Sequence, residues 1–301
     1  MTENTRPRIL LHILFTLLFS GVLSGCSGRP INLPENYAAS DALFDRVSGN
    51  VTRSESLKQV VEIDHSRLGQ EVGSVMPPSR VLIFSNPAFE SEVIQQNPLA
   101  AIDLPLRVLA YQSDTDGQAH VIYNQYDYLE ARYGLEKGST LEARFNKVMA
   151  EVLAGVPQER IAAFDPYEMS SDGIITLDSP FSFDMTVQRV QQAIDSQDDT
   201  VGFGRVDFRA QAKAIGVDIN PSTLILFGAP APGASAMSDA PTLGLDAFCQ
   251  KMLIWQDDNN NVHLSFNDLI ALADRQNVNK SLALRIINQR LKGVFEAALE
   301  E

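Results

Sequence analysis

The sequence predicts a mixed α+β chain built from two copies of one small domain, and three observations predict it. First, the chain aligns with itself: residues 63–135 lie against 206–278 without a gap, pairing Asp64 with Asp207, Pro78 with Pro221, Phe84 with Phe227, Asp103 with Asp246, His120 with His263, Asn124 with Asn267 and Arg132 with Arg275. Ordered coincidences at one offset are the signature of duplication. Second, short apolar runs bounded by Gly, Pro or polar turns alternate with stretches whose apolar residues recur at helical spacing. Third, each copy closes on an amphipathic helix that follows a Ser or Thr cap, with Leu141, Phe145, Val148 and Val152 in one and Leu282, Ile286 and Val294 in the other.

The N-terminus precedes the fold. Arg6 and Arg8 lead into an apolar stretch from Ile9 to Leu23 that is short for a bilayer span and reads as an export signal. Leu23-Ser24-Gly25-Cys26 then resembles the lipobox of bacterial lipoproteins, which implies cleavage after residue 25 and lipidation of Cys26. Several acyl chains on one cysteine give durable anchoring, whereas a single chain holds only marginally. Ser27, by resemblance to the sorting rule of enteric bacteria, implies the outer membrane. The expected organisation is a signal peptide at 1–25, a tether at 26–37, a first α+β domain at 38–165 and a second at 166–301. The expected location is the periplasmic side of the envelope.

In the first copy, a helix is expected around 41–47, then an added loop at "SGNVTRSES" and a strand near 57–63. Strands at Arg80–Phe84, Val108–Tyr111 and His120–Tyr123 follow, the last two joined by a loop containing Asp116-Gly117. The second copy opens on a strand at Ile174–Leu177. Phe183, Val187, Val190 and Ile194 then mark a helix with one buried face. Gly202 and Gly204 interrupt the next strand. Thr223–Phe227 reads as a covered central strand, and Met252–Trp255 with His263–Phe266 as a hairpin around a polar loop.

These residues resemble a known family. "IDH" at 63–65, "RVLIFSNP" at 80–87, "NPLAAIDLPLRVLAY" at 97–111 and "YNQYDYLEARYGL" at 123–135 are similar to the bacterial and archaeal domain of unknown function 302. The second copy keeps the skeleton but has Phe208 for the motif histidine, Ala229 for the asparagine, Ala247-Phe248 for Leu-Pro and Phe266 for tyrosine. The resemblance implies one antiparallel sheet backed by helices in each copy, an architecture like that of the TATA-binding protein; the duplication itself implies a pseudo-twofold pair. It implies no reaction, and fold alone implies no DNA binding.

The composition excludes some partners and chemistries. A formal charge of −14 repels phosphate backbones, so no nucleic-acid partner is expected. Cys26 and Cys249 are the only cysteines; with Cys26 lipidated, Cys249 is left unpaired, and its neighbours Phe248 and Met252 imply a buried, unreactive thiol. There is no G-x-S-x-G elbow, phosphate loop or paired-Cys motif. "DDNNNVHLSFND" has Val262 where a calcium loop needs Gly and lacks the closing Glu, so it reads as a hairpin. No cofactor and no metal site are expected.

Asp103 stands in an apolar run just before Leu104-Pro105. It reads first as a turn residue accepting backbone N–H bonds and second as a general acid or base. Asn124 and Asn267 read as helix caps, and His120 and His263 as partly solvated hairpin residues. His65 is replaced by Phe208 in the second copy, which locates any function in the first. His65, Asn86 and Asp103 are therefore the candidate ligand-facing residues of a lipid-anchored binding or assembly module, whose partner is an envelope protein or a small ligand. The second domain is expected to pack on the first. The rival reading is an enzyme using His65 as base.

Overall fold

The computed structural model describes residues 33–164 and 173–300; the signal segment, Cys26 and the first residues of the second domain lie outside the described residues. The first copy runs α1 (Leu33–Arg53), β1 (Lys58–Asp64), α2 (His65–Glu71), β2 (Ser79–Ser85), α3 (Pro87–Gln96), β3 (Leu106–Gln112), β4 (Ala119–Ile122), α4 (Tyr126–Tyr133), α5 (Thr140–Val152) and a two-residue β5 (Ile161–Ala162). The second runs β6 (Ile174–Ser179), α6 (Phe183–Asp195), β7 (Val201–Asp207), α7 (Phe208–Ala214), β8 (Ser222–Gly228), α8 (Pro230–Met237), β9 (Gln250–Gln256), β10 (Val262–Asn267), α9 (Leu269–Arg275) and α10 (Leu282–Ala298). Short 3-10 turns at Pro98–Asp103 and Pro241–Gly244 precede β3 and β9.

Each copy forms one five-stranded sheet backed by helices, ordered β1-β2-β3-β4-β5 and β6-β10-β9-β8-β7. All pairings are antiparallel except β4 with β5. The fold is α+β, as the residues and the resemblance imply. Both copies carry a bulge at the same place, between Gln59 and Val61 in β1 and between Gly202 and Gly204 in β7. The glycines that interrupt the apolar run are therefore a bulge within a strand, not its end.

Helix entries follow local chemistry. Asp64 and Asp207 cap α2 and α7 by accepting from Arg67 N and Ala210 N, and Ser139 and Ser281 cap the closing helices α5 and α10. α1 is longer than the periodicity suggests. It absorbs residues 33–37, expected as tether, and residues 48–53, expected as loop. The reason is on its inner face, where Val47 and Val51 continue the buried stripe begun by Phe44.

Every residue of β8 is buried, so the strand is covered on both faces. Its side chains alternate between two cores. Leu224 and Leu226 join the cluster containing the first copy's sheet, while Ile225 and Phe227 join the cluster with α6, α8 and α10.

The gap-free alignment needs one correction. Phe84 pairs with Leu106 across β2 and β3, but Phe227 pairs with Gln250 across β8 and β9. Leu106 is thus matched by Gln250 and Arg107 by Lys251, and Cys249 is an extra residue with φ of 61°. The hairpin loop takes the residue back, spanning 113–118 in one copy and 257–261 in the other. The slip is legible once a one-residue gap is allowed, since the shifted register sets Arg107 against Lys251, Leu109 against Leu253, Tyr111 against Trp255 and Gln112 against Gln256.

Candidate functional site at the junction of the copies

The residues repeated between the copies meet in a reciprocal network. In one half, Arg132 Nη1 donates to Asp103 Oδ2 at 2.7 Å and Arg132 Nη2 donates to Asn267 Oδ1 at 2.7 Å. In the other half, Arg275 Nη1 donates to Asp246 Oδ2 at 2.8 Å and Arg275 Nη2 donates to Asn124 Oδ1 at 2.7 Å. Each arginine thus grips its own copy's aspartate with one nitrogen and the other copy's asparagine with the next. Asn124 Nδ2 closes one loop by donating to Asp246 Oδ1 at 2.8 Å.

This corrects two readings. Asn124 and Asn267 are not caps, since Gln125 and Asp268 occupy those positions. Nor does Asp103 serve a turn through backbone N–H groups. It is 4% exposed and takes Lys251 Nζ at 2.9 Å on Oδ1, with Tyr128 OH at 2.9 Å and Tyr133 OH at 2.6 Å joining Arg132 on Oδ2. Burial pushes its pKa up, but Lys251 and Arg132 overcome that and hold the carboxyl well below the usual range. Sequence reasoning saw the repeat of Asp, Asn and Arg but had no way to see that the partners are exchanged between copies.

The network is richer in the first copy. Tyr128 and Tyr133 correspond to Ala271 and Gln276, so Asp246 has fewer donors. Four buried cations, Arg107, Arg132, Lys251 and Arg275, surround the two carboxylates. Burial first and then Arg107 lower the pKa of Lys251. Arg107 itself reaches only the carbonyls of Pro105 at 3.3 Å and Leu245 at 3.5 Å, and its Nε has no partner among the described residues.

The other two sequence candidates lie apart from this network in a second pair of pseudo-equivalent places. Asn86 caps α3, accepting from Phe89 N at 3.0 Å, and is buried. One turn on, Glu90 is 1% exposed and receives Ser85 Oγ at 2.7 Å and Asn86 N at 3.2 Å, with Gln211 of α7 on the same hydroxyl at 3.2 Å. Burial raises Glu90 to about 7 against those hydrogen bonds. Sequence reasoning missed Glu90, which looks like an ordinary surface helix acid.

His65 is 6% exposed, and its Nε2 lies 3.1 Å from the carbonyl of Gly244. Only the protonated nitrogen can donate there, which assigns the Nε2–H tautomer. Burial lowers the imidazole to about 4, opposed by the Gly244 hydrogen bond and Asp64. Its ring borders a cavity of about 20 Å³ shared with Leu68, Phe203, Met237, Phe248 and Cys249. The three candidates are thus all buried, and the structure does not bring them together.

Helix α8 explains where the second copy is open. Its sequence, PAPGASAM, replaces the PAFESEVI that begins α3. Gly233 stands for Glu90 and Gly228 for Ser85, and the His65 cavity opens there. On another side of α8, Pro232 stands for Phe89, which is fully buried. There an apolar groove of about 200 Å³ runs between α6, α8 and α10, walled by Ile194, Phe227, Ile287, Leu291 and Phe295. Ile286 lines it at 58% exposure, and Leu282, one turn earlier on α10, is 73% exposed. Counted from the caps Ser139 and Ser281, the first copy has Thr140 and Arg144 at these helix positions, so this apolar surface belongs to the second copy alone.

Comparisons with known proteins agree with this duplication. The model of the domain of unknown function DUF302 matches residues 35–152 and again 175–298. The fluoride-specific ion channel FluC 1 of Brucella suis biovar 1 (strain 1330) is 38% identical over 109 residues, which is 36% of this chain and 42% of that protein. FluC 1 of Brucella abortus biovar 1 (strain 9-941) is 38% identical over 109 residues, 36% of this chain and 40% of that protein. The chain therefore spans less than half the length of these curated relatives. Among solved structures, the uncharacterized conserved protein DUF302 from Bacillus stearothermophilus is 16% identical with a TM-score of 0.36, covering 42% of this chain and 96% of that one.

Proposed function

Because the chain belongs to the DUF302 family and carries two of its domains in tandem, we propose that it works as a lipid-anchored binding module of the bacterial envelope. In this reading the two copies act as one pseudo-twofold body, tethered through Cys26 and facing the periplasm. The observation that carries the binding role is the groove beside α10. Its apolar floor continues onto Ile286 and Leu282, which lie one helical turn apart on the same face. An elongated apolar strip open to solvent suits the face of an amphipathic helix from a partner protein.

The support for a scaffold role of the first copy is that Asp103, Asn86 and Glu90 already have protein partners. The Brucella relatives are named as ion channels, and a related segment in such proteins is consistent with work at a membrane. Fluoride conduction does not carry over, because the similarity covers under half of each channel and no described helix is long and apolar enough to cross a membrane.

Two measurements test the reading. The mature protein is expected to begin at Cys26 with the mass of a diacylglyceryl-modified cysteine; an N-terminus elsewhere refutes the anchor. For the groove, a photo-crosslinking residue at Ile286 is expected to trap a discrete envelope protein in intact cells. The same residue at Glu296, on the same helix, is expected to trap none. Leu282→Glu should abolish capture from position 286 while changing stability by less than about 0.5 kcal/mol, as an exposed substitution does. Equal labelling from both positions, or labelling of lipid alone, contradicts the role.

A further inference from the structure

We propose that the junction of the copies holds a buried halide ion between Arg107 and Lys251. Two independent balances point to it, one of charge and one of hydrogen bonds. Arg107, Arg132, Lys251 and Arg275 are buried round two carboxylates, Asp103 and Asp246, which leaves an excess of two positive charges among the described residues of this interior. The neighbouring weak acids do not make it up. Burial pushes the Cys249 thiol up to about 12 and raises the Tyr128 and Tyr133 hydroxyls further above their ordinary value, so all three stay protonated. An uncompensated buried charge is costly, so this interior calls for negative charge.

Hydrogen bonding gives the same answer. Arg107 Nε, Arg132 Nε and Asn267 Nδ2 are buried without a partner among the described residues, and all three are donors. Lys251 Nζ carries three N–H groups and meets one acceptor among those residues, Asp103 Oδ1. What is short here is an acceptor, and an anion is an acceptor that also brings the charge.

The exchange between copies explains why the shortage falls on Arg107. Arg107 in β3 and Lys251 in β9 are counterparts, and each reaches the end of the 3-10 turn in the opposite copy. Lys251 finds Asp103 Oδ1 there at 2.9 Å. In the other half the matching oxygen, Asp246 Oδ1, is taken by Asn124 Nδ2 at 2.8 Å. Arg107 is left with the carbonyls of Leu245 at 3.5 Å and Pro105 at 3.3 Å, long contacts beside the charged pairs at 2.7–2.9 Å. The two cations also feel each other, since after burial the charge of Arg107 is the largest influence lowering the pKa of Lys251. An anion between them relieves that repulsion and supplies both with an acceptor.

Size selects the halide. Charge alone would admit an oxyanion, but a polyatomic ion needs a pocket for several atoms, whereas a halide takes about the space of one water molecule.

In the test, the full-length chain in detergent is unfolded by heat at constant ionic strength while potassium chloride replaces potassium gluconate, whose anion is too large to be enclosed. The midpoint is expected to rise steadily with chloride, as a ligand that binds the native state alone requires. Arg107→Met and Lys251→Met should each weaken the apparent chloride affinity by more than about tenfold, the loss of one charge-assisted hydrogen bond. Lys292→Met, which removes a half-exposed cation from α10, should leave the chloride dependence as it is in the wild type. Crystals of the wild type grown in bromide should show an anomalous-scattering peak in contact with Arg107 and Lys251, a result that depends on no variant folding. A wild-type midpoint indifferent to chloride, a chloride dependence equal in all three variants, or bromide found only at the surface overturns the proposal.

Discussion

The Asp103→Asn variant is expected to lose about 3–5 kcal/mol of stability, the effect of removing one partner from a buried ion pair. Asp103 receives Arg132, Lys251, Tyr128 and Tyr133 at 2.6–2.9 Å with essentially no exposure, and asparagine leaves two buried cations without their counter-charge. Thermal unfolding followed by circular dichroism should move down by on the order of 10 °C for a body of this size. Asp246→Asn should cost less, because among the described residues Asp246 has two donors, Arg275 and Asn124, against the four of Asp103. The pH dependence has a definite sign. Asp103 has a lowered folded pKa, so its contribution is present above the ordinary carboxylate value of about 3.9 and is lost as pH falls below it. The gap between wild type and Asp103→Asn should therefore close in acid below about pH 4.

A second large effect is hidden in the wild type, because two buried groups titrate in opposite senses over nearly the same range. Glu90, raised from 4.5 to about 7, contributes stability that is fully present below 4.5 and is lost as pH rises through 7. His65, lowered from 6.5 to about 4, contributes stability that is present above 6.5 and is lost as pH falls through 4. Each shift corresponds to about 3 kcal/mol between the protonation states. Between about pH 4.5 and 6.5 the two slopes cancel, and the wild type is expected to show a flat profile. Glu90→Gln should expose the histidine, with stability rising as pH goes from 4 to 6.5. His65→Phe should expose the glutamate, with stability falling from pH 4.5 to 7. Denaturant titrations at four or five pH values distinguish the slopes; parallel profiles for both variants would show that neither group titrates in the fold.

How much of this was legible in the sequence depends on the range of the interaction. Strands such as Thr223–Phe227, the hairpin at 252–266 and the caps Ser139 and Ser281 follow from local pattern and are found where that pattern puts them. The duplication was legible because it is a comparison of the chain with itself. The role of the repeated residues was not, since Asn124 and Asn267 serve the opposite copy across more than 120 positions, and a local reading could only make them caps. Asp103 was visible as an anomaly, an acid in an apolar run, but its four donors come from α4 and β9. Glu90 and the groove were invisible for another reason. What opens or closes those places is the bulk of a neighbouring helix, and Pro232 and Gly233 acquire meaning only when set beside Phe89 and Glu90.

The central claim is that the exchanged Asp–Arg–Asn contacts make two copies fold as one cooperative body. Trp255 is the sole tryptophan and lies in the second copy, whereas Asp103 lies in the first. Unfolding of wild type and Asp103→Asn followed by Trp255 fluorescence and by far-ultraviolet circular dichroism is the most direct test. The account predicts coincident transitions that shift together in the variant. A Trp255 transition left in place while the circular dichroism splits in two would contradict it.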